Sequence, residues 1–435
     1  MIRLGVIPGH QELCEGLVDT RRRLLELVDD LDDAQLRVPL LATVNPILWE
    51  LGHVAWFQER WCLREPHGAP PILAQADALY DSALIAHDTR WDLILPGRVE
   101  TEAYLEHVLE ATLTSIRGGD GSGRGAYGAR LATFHEDMHG EALVMTRRTL
   151  GLPPPRVAGA HPPRGAPLTG DARVPGGKFR LGAEPGSPFT FDNEMWAHER
   201  AVAPFAIARA AVTQAEFARF VEDGGYARRE LWSAAGWTWR TAEGATHPLH
   251  WRRAGSRWLR RHHDRLVALE PDVAMHHVAW FEAEAWCAWA GRRLPTELEW
   301  EVAATADSDG HGRLSGAKRV FPWGGAPPTP EHAQLDLRTD GPVPVSACPA
   351  GDSAFGLRQM LGNVWEWTAD DFGPYPGFEP GPYREYSQPW FTGHKVLRGG
   401  SFATRARLAS PTYRNFYTPD RRDVLAGFRT CARDA

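Results

Sequence analysis

Phe134-His135-Glu136-Asp137-Met138-His139-Gly140-Glu141 is the stretch whose reading decides the architecture of the chain. An α-helix turns about 100° per residue, so side chains four apart share a face. A helix from Leu131 to Arg148 therefore points His135 and His139 the same way. Two imidazoles at that spacing can grip one metal ion, and imidazole suits Zn, Cu, Fe and Ni alike. Three readings follow. The first is a helix with two ordinary histidines. The second is a zincin-type protease, because the stretch fits H-E-x-x-H. The third is a redox metal held by three histidines, one of them from another helix. A metzincin would continue H-x-x-G-x-x-H, whereas Gly140 to Thr149 holds no histidine and a Pro-rich stretch follows. That disfavours the protease.

Working outward, Asn45-Pro46 opens a helix that runs from Ile47 to Trp61, with proline at a first-turn position. Trp49, His53, Trp56, Phe57 and Trp61 fall largely on one stripe of it. Read alone, His53 is a core histidine. On an inward face of the same bundle as His135 and His139 it becomes the candidate third ligand. Residues 7–33 read as an amphipathic helix through Leu17, Leu24, Leu25, Leu27, Val28 and Leu31. Another helix is expected at about 101–117, with Thr101 as N-cap. Residues 68–100 connect the second and third helices. The Gly118–Gly128 segment lacks G-x-x-x-x-G-K, so it reads as a turn and not a phosphate loop. Four helices within residues 1–150 predict an up-down bundle, a usual place for metal sites. A stiff Pro-rich linker is expected over 151–173. From Val174 to residue 435 short apolar runs alternate with Gly, Pro and Asp. Helices are expected at Thr213–Glu222, Trp280–Trp289 and Thr296–Ala304, giving an α+β domain rich in irregular structure.

Composition limits the function classes. The 435 residues are 43% hydrophobic and 24% charged, ordinary for a globular chain. The net charge of −7 offers no basic field for nucleic acid. The five cysteines, Cys14, Cys62, Cys287, Cys348 and Cys431, are odd in number, widely spaced and free of C-x-x-C. They suggest free thiols in a reducing cytoplasm. No apolar h-region and no 18-residue apolar run occurs, so neither a signal peptide nor a membrane span is expected.

The segment from about 174 to 434 resembles the formylglycine-generating-enzyme/sulfatase-modifying domain, a variant of the C-type-lectin fold. The resemblance is carried by Val174-Pro175-Gly176-Gly177, Val212-Thr213-Gln214-Ala215-Glu216-Phe217, Gly291-Arg292-Arg293-Leu294-Pro295-Thr296-Glu297, Gly362-Asn363-Val364-Trp365-Glu366-Trp367 and Leu397-Arg398-Gly399-Gly400-Ser401-Phe402. Formylglycine-generating enzymes place two copper-binding cysteines shortly after the last motif. Thr404 and Ala409 stand there instead, which disfavours that chemistry.

The N-terminal part resembles the DinB-like bundle that precedes this domain in the hercynine-dependent non-haem iron sulfoxide synthases, the ergothioneine synthase family. In that family three histidines bind Fe(II), and the matching residues here are His53, His135 and His139. The resemblance implies O2 as co-substrate and hercynine as acceptor. It also implies a tyrosine donating a proton or electron, matched by Tyr375 in Tyr375-Pro376-Gly377-Phe378, with Tyr383 and Tyr386 as the nearest substitutes. Arg414-Asn415-Phe416-Tyr417 matches a pocket-lining segment, so Asn415, Phe416 and Tyr417 are expected at the substrate, with Trp365 and Trp367 as further aromatic faces. A fixed trimethylammonium binds aromatic faces with about 0.5–2 kcal/mol each. Glu50, Glu136 and Asp137 are near enough in sequence to accept from ligand N–H groups.

Two departures point to a branch. Family members using γ-glutamylcysteine carry an acid where Tyr417 stands and tend to carry Gln where Met138 stands. In His87-Asp88-Thr89-Arg90-Trp91-Asp92, acids on both sides neutralise Arg90, and Asp, Thr and Trp side chains suit a polyhydroxylated, uncharged donor, with Asp88 and Arg90 expected at the substrate. The chain is thus most similar to the selenoneine-forming branch, which couples a selenosugar to hercynine C2 through a selenoxide-level intermediate. Cysteine or γ-glutamylcysteine as donor, and a non-catalytic lectin-like binding protein with a structural metal, stay open. A structural Ca2+ in the lectin-like domain is left open as well.

Overall fold

The computed structural model describes residues 9–120, 123–157, 159–187 and 189–433. The chain divides into two compact units, one through Val157 with Gly186–Phe189, the other Ala158–Pro185 with Thr190–Ala435.

The first unit is helical. It contains α1 (His10–Glu26), α2 (Asp33–Arg37), α3 (Ile47–Glu59), α4 (Glu65–His67), α5 (Ala76–Tyr80), α6 (Arg98–Ser115) and α7 (Gly123–Leu150). The four long members are α1, α3, α6 and α7, as the bundle reading expects. Their bounds differ from the sequence reading. α1 stops at Glu26, and a separate short helix starts at Asp33 with Asp32 as its N-cap in a capping box. Residues 7 and 8 lie outside the described residues. α6 starts at Arg98 with Gly97 as its N-cap, and Thr101, the expected cap, is a buried residue of its first turns. α7 starts at Gly123, so much of the expected Gly118–Gly128 turn is helix.

α3 is the centre of the unit. Every residue from Ile47 to Glu59 except Leu48 is buried, so the expected single stripe is instead a helix enclosed on all sides. It continues as a π-helical turn over Arg60–Arg64. Arg21 ties the bundle together. From α1 it donates to Glu136 of α7 at 2.7 Å, to Gln58 of α3 at 2.6 Å and to the Leu105 carbonyl of α6. Thr20 donates to Asp137 at 2.8 Å. Burial raises the Glu136 pKa despite the Arg21 charge, so the pair is held by enclosure and geometry.

The second unit is α+β, with α8 (Gln214–Glu222), α9 (Ala234–Ala242), α10 (Trp280–Trp289) and α11 (Glu297–Thr305) among short strands. One four-stranded sheet has the order β1 (Asp171–Val174), β4 (Phe205–Ala208), β15 (Cys431–Ala432), β8 (Arg292–Arg293). Another runs β13 (Asn415–Tyr417), β12 (Lys395–Arg398), β11 (Trp365–Asp371), β14 (Ala426–Gly427), with β11 and β14 parallel. β2 (Gly177–Leu181) pairs with β3 (His198–Val202), and β9 (Ala306–Ser308) pairs with β10 (Leu314–Lys318). A three-stranded meander is built from β5 (Trp251–Ala254), β6 (Arg257–His262) and β7 (Arg265–Ala268). The α8 and α11 starts are fixed by Thr213 and Thr296, each in a capping box with the glutamate three residues on. α9 was not expected from sequence; its Trp237-Thr238-Trp239 run hides the period. The Pro-rich segment runs along this unit, with Ala160 N donating to Arg338 O at 2.9 Å and Ala166 N to Ser346 Oγ at 3.1 Å. None of the five cysteines is in a disulfide. Among the described residues no helix is long and apolar enough to cross a membrane.

Candidate metal centre

α3 and α7 bring His53, His135 and His139 together. One ring nitrogen of each lies within 4.8 Å of the others. His53 Nε2 and His135 Nε2 are 3.3 Å apart, and the ring centroids are 4.5–5.0 Å apart. Trp49 stacks on His53 at 4.8 Å and Phe57 stacks on His135 at 3.6 Å, which fixes both ring planes. His53 and His135 are fully enclosed, and burial pushes both pKa values well below the ordinary imidazole value, helped by His139. Neutral imidazoles are the form that binds metal.

The hydrogen bonds set the orientation of the first ligand. His53 Nδ1 lies 2.8 Å from the Tyr80 carbonyl. A carbonyl only accepts, so the proton sits on Nδ1 and Nε2 presents its lone pair to the other two rings. His139 Nδ1 lies 3.8 Å from Glu50 Oε2, and Asn45 Nδ2 donates to Glu50 Oε1 at 2.9 Å. Of the three carboxylates expected beside the ligands, Glu50 comes within ion-pair distance of His139. Glu136 and Asp137 bond Arg21 and Thr20. Three imidazole nitrogens facing one another fit a first-row divalent ion.

Arg90 lies against the same region. Its guanidinium is 4.0 Å from the Trp49 ring and donates to Asn45 Oδ1 at 2.6 Å. Among the described residues neither Asp88 nor Asp92 pairs with it, contrary to the expected neutralisation. Asp88 is exposed. Met138 is half-buried on α7.

The remaining expected residues belong to the second unit. Tyr375 is buried, with its ring under the Arg414 guanidinium at 4.1 Å, and Glu297 holds that guanidinium at 2.7 Å. Among the described residues its hydroxyl has no hydrogen-bond partner, and burial, then Glu297, push its pKa well above the usual phenol value. Phe416 stacks on Phe372 at 4.1 Å. Asn415 Oδ1 accepts from Phe416 N at 2.8 Å, and Arg421 lies 4.9 Å from the Tyr417 ring. Trp365 is buried, 5.4 Å from Tyr413. Trp367 is fully buried, with its indole N–H donating to Val278 O at 2.9 Å, the environment of a core residue. Tyr386 stacks on Phe191 at 4.3 Å and lies 5.9 Å from Tyr383.

Two family models match, the DinB superfamily over residues 17–143 and the sulfatase-modifying factor enzyme 1-like domain over residues 158–435. A hercynine oxygenase of Mycolicibacterium thermoresistibile is 39% identical over 97% of this chain and 95% of its own. The chain belongs to the hercynine oxygenase family. A hercynine oxygenase of Mycobacterium tuberculosis is 38% identical over 96% of this chain and 98% of its own. A formylglycine-generating enzyme of Streptomyces coelicolor is 33% identical but covers 66% of this chain and 96% of its own. The partial match separates the shared second domain from the full-length kinship. The family is one of oxygenase enzymes, which sets aside the non-catalytic reading.

Sequence reasoning missed the parts that hold the triad. Arg21 was read only as a polar residue of an amphipathic helix, and Tyr80 as part of a connection. One signal was present: Gly52, a glycine inside a helix of large apolar residues, where glycine costs about 1 kcal/mol relative to alanine.

Proposed function

We propose that the chain joins hercynine, at imidazole C2, to a selenosugar in an Fe(II)- and O2-dependent reaction that passes through a selenoxide-level product. The convergence of three imidazoles, two of them enclosed and held neutral by burial, is the observation that carries the metal reading. His53, His135 and His139 would hold the iron. Bound there, iron supplies one-electron and O2 chemistry that Zn²⁺ lacks, because zinc has no accessible redox step. Trp49 and Phe57 hold the ligand rings by stacking and keep that side of the centre dry. Tyr375 is the proposed proton or electron donor, supported by a buried hydroxyl without a partner, a group that calls for an explanation. Asn415, Phe416 and Tyr417 are the proposed hercynine side, and Trp367 is better assigned to packing. The uncharged Tyr417, where an acid would suit an ammonium group, supports the sugar donor.

A specific observation favours a second donor class. Arg90 pairs with neither Asp88 nor Asp92 and lies by Trp49 and Asn45, with the Glu50 charge acting on it, so a donor carboxylate would compete with Glu50 for a cation there. That is the requirement of cysteine or γ-glutamylcysteine. The deciding experiment is an aerobic assay of Fe(II)-reconstituted protein with hercynine and four donors in parallel: selenosugar, thiosugar, cysteine and γ-glutamylcysteine. Products are read by mass spectrometry. Turnover mainly with the selenosugar is expected. Turnover mainly with an amino-acid thiol keeps the iron centre and assigns Arg90 to the donor. Tyr375→Phe is expected to cut coupling sharply with iron content intact; full activity removes that role.

A further inference from the structure

The residue before the first triad histidine is Gly52. A methyl group at its Cα would lie 2.2 Å from Cε1 and Cζ of Tyr80. Those are ring atoms of a fully enclosed side chain, so they have nowhere to withdraw. The absent side chain at Gly52 therefore lets the Tyr80 ring lie directly on the α3 backbone. That seats the last turn of α5 beside α3. The final carbonyls of a helix have no partner within it. Here two of them accept from α3 side chains one turn apart: Trp49 Nε1 donates to Leu79 O at 2.7 Å, and His53 Nδ1 to Tyr80 O at 2.8 Å.

We propose that Gly52 is a positioning residue for the metal centre: it admits Tyr80, whose main-chain carbonyl then holds His53 with its proton on Nδ1 and its Nε2 lone pair turned to His135 and His139. The inference rests on the triad being a metal site. It places the function of Tyr80 in its backbone, not in its phenol. The ring only needs room, and the carbonyl is the acceptor. Partners that orient a ligating histidine in this way are worth about 10–100-fold in metal affinity.

The test is Co(II) binding to the full chain, followed by visible absorption, for wild type, Gly52→Ala, Tyr80→Ala and the double variant. Gly52→Ala is expected to weaken Co(II) binding by about 10–100-fold. Tyr80→Ala keeps the carbonyl and is expected to bind nearly as wild type. Gly52→Ala/Tyr80→Ala removes the clash and is expected to regain most of the loss. A Gly52→Ala chain that binds as wild type overturns the proposal, as does a double variant with no recovery. Wild type that binds no Co(II) defeats the metal reading itself and is thereby told apart. Should Gly52→Ala fail to fold by circular dichroism, ¹⁵N histidine side-chain spectra of the metal-free wild type decide. The His53 signals, assigned by their loss in His53→Gln, are expected to show Nδ1–H and a bare Nε2. A proton on Nε2 overturns the proposal.

Discussion

In the helical unit three imidazoles face one another; in the second unit two imidazoles face a carboxylate. The second group is His262, His263 and Asp340, whose ligating atoms also fall within 4.8 Å. By residue type both sets can hold a metal. Their hydrogen bonds separate them. His262 Nε2 is 2.9 Å from Asp340 Oδ2, and His263 Nε2 is 2.8 Å from Asp340 Oδ1. Arg260 Nη1 lies 3.1 Å from His262 Nδ1. A guanidinium only donates, so His262 carries its proton on Nε2, where it is given to Asp340. A metal at Nε2 would need that proton removed and Nδ1–H turned towards Arg260. The second group is therefore held as a hydrogen-bonded latch on the β6–β7 hairpin. In the triad the close approach is instead imidazole to imidazole, Nε2 to Nε2 at 3.3 Å. The partners of the ring nitrogens, more than residue type or proximity, separate the two groups.

The largest effect expected from that difference is at the triad. His135→Ala removes a ligand and opens a void beside Phe57, and iron content measured by elemental analysis is expected to fall to background, with turnover lost alongside. The same measurement on wild type is expected to return one ion per chain. Two ions per chain would break the comparison, because the latch would then be a second metal site.

Arg21→Ala acts on the frame and not on the metal. It leaves Glu136 enclosed without its cation, and breaking a buried pair in this way costs about 3–5 kcal/mol. Urea denaturation of the metal-free chain is expected to show that loss. A change under 1 kcal/mol, about what exposed pairs contribute, would mean that Arg21 does not organise the four helices.

The comparison also shows what a sequence makes legible. His135 and His139 announce themselves because one helix turn aligns them, and Trp49-Glu50-Leu51-Gly52-His53 lies in a strong helical pattern. The bundle and the lectin-like domain were readable from the same patterns and motifs. The supports were not, because they join residues far apart in the chain: Arg21 to Glu136, His53 to the Tyr80 backbone, Trp49 to Arg90. A main-chain carbonyl has no signature in a sequence, since any residue can supply one. The α1 end and the α6 start were misplaced for a local reason. Asp32 forms a capping box with Gln35, and Gly97 N donates to Glu100, and those signals are weaker than the apolar period running past them. The flanking acids of Arg90 misled in the opposite sense. Neighbours in sequence around a 3₁₀ turn, His87–Trp91, need not meet in space.

The latch supplies the smaller tests. Asp340→Ala removes the acceptor of two imidazole N–H groups, one of them on the enclosed His263, and an unsatisfied buried donor costs about 1–3 kcal/mol. Iron content and hercynine turnover are expected to stay as wild type. A loss of bound metal would assign the site to the metal class after all.

Asp340→Asn is the finest probe of the same distinction. An amide keeps the shape of the carboxylate but offers one oxygen and one N–H₂ group. Arg260 donates to His262 Nδ1, so His262 must keep its proton on Nε2 and takes the amide oxygen. His263 then faces the N–H₂ group and must accept on Nε2, moving its own proton to Nδ1. His263 sits at φ 54° as the first of the two residues linking β6 to β7, a position where glycine is usual in hairpins with one positive φ. The hairpin tolerates that conformation while Asp340 holds the side chain. The exchange of two charge-assisted bonds for neutral ones is expected to cost less than the alanine variant, with metal content unchanged. Equal losses for the asparagine and alanine variants would show that the carboxylate charge, and not the pairing of donors with acceptors, holds the latch.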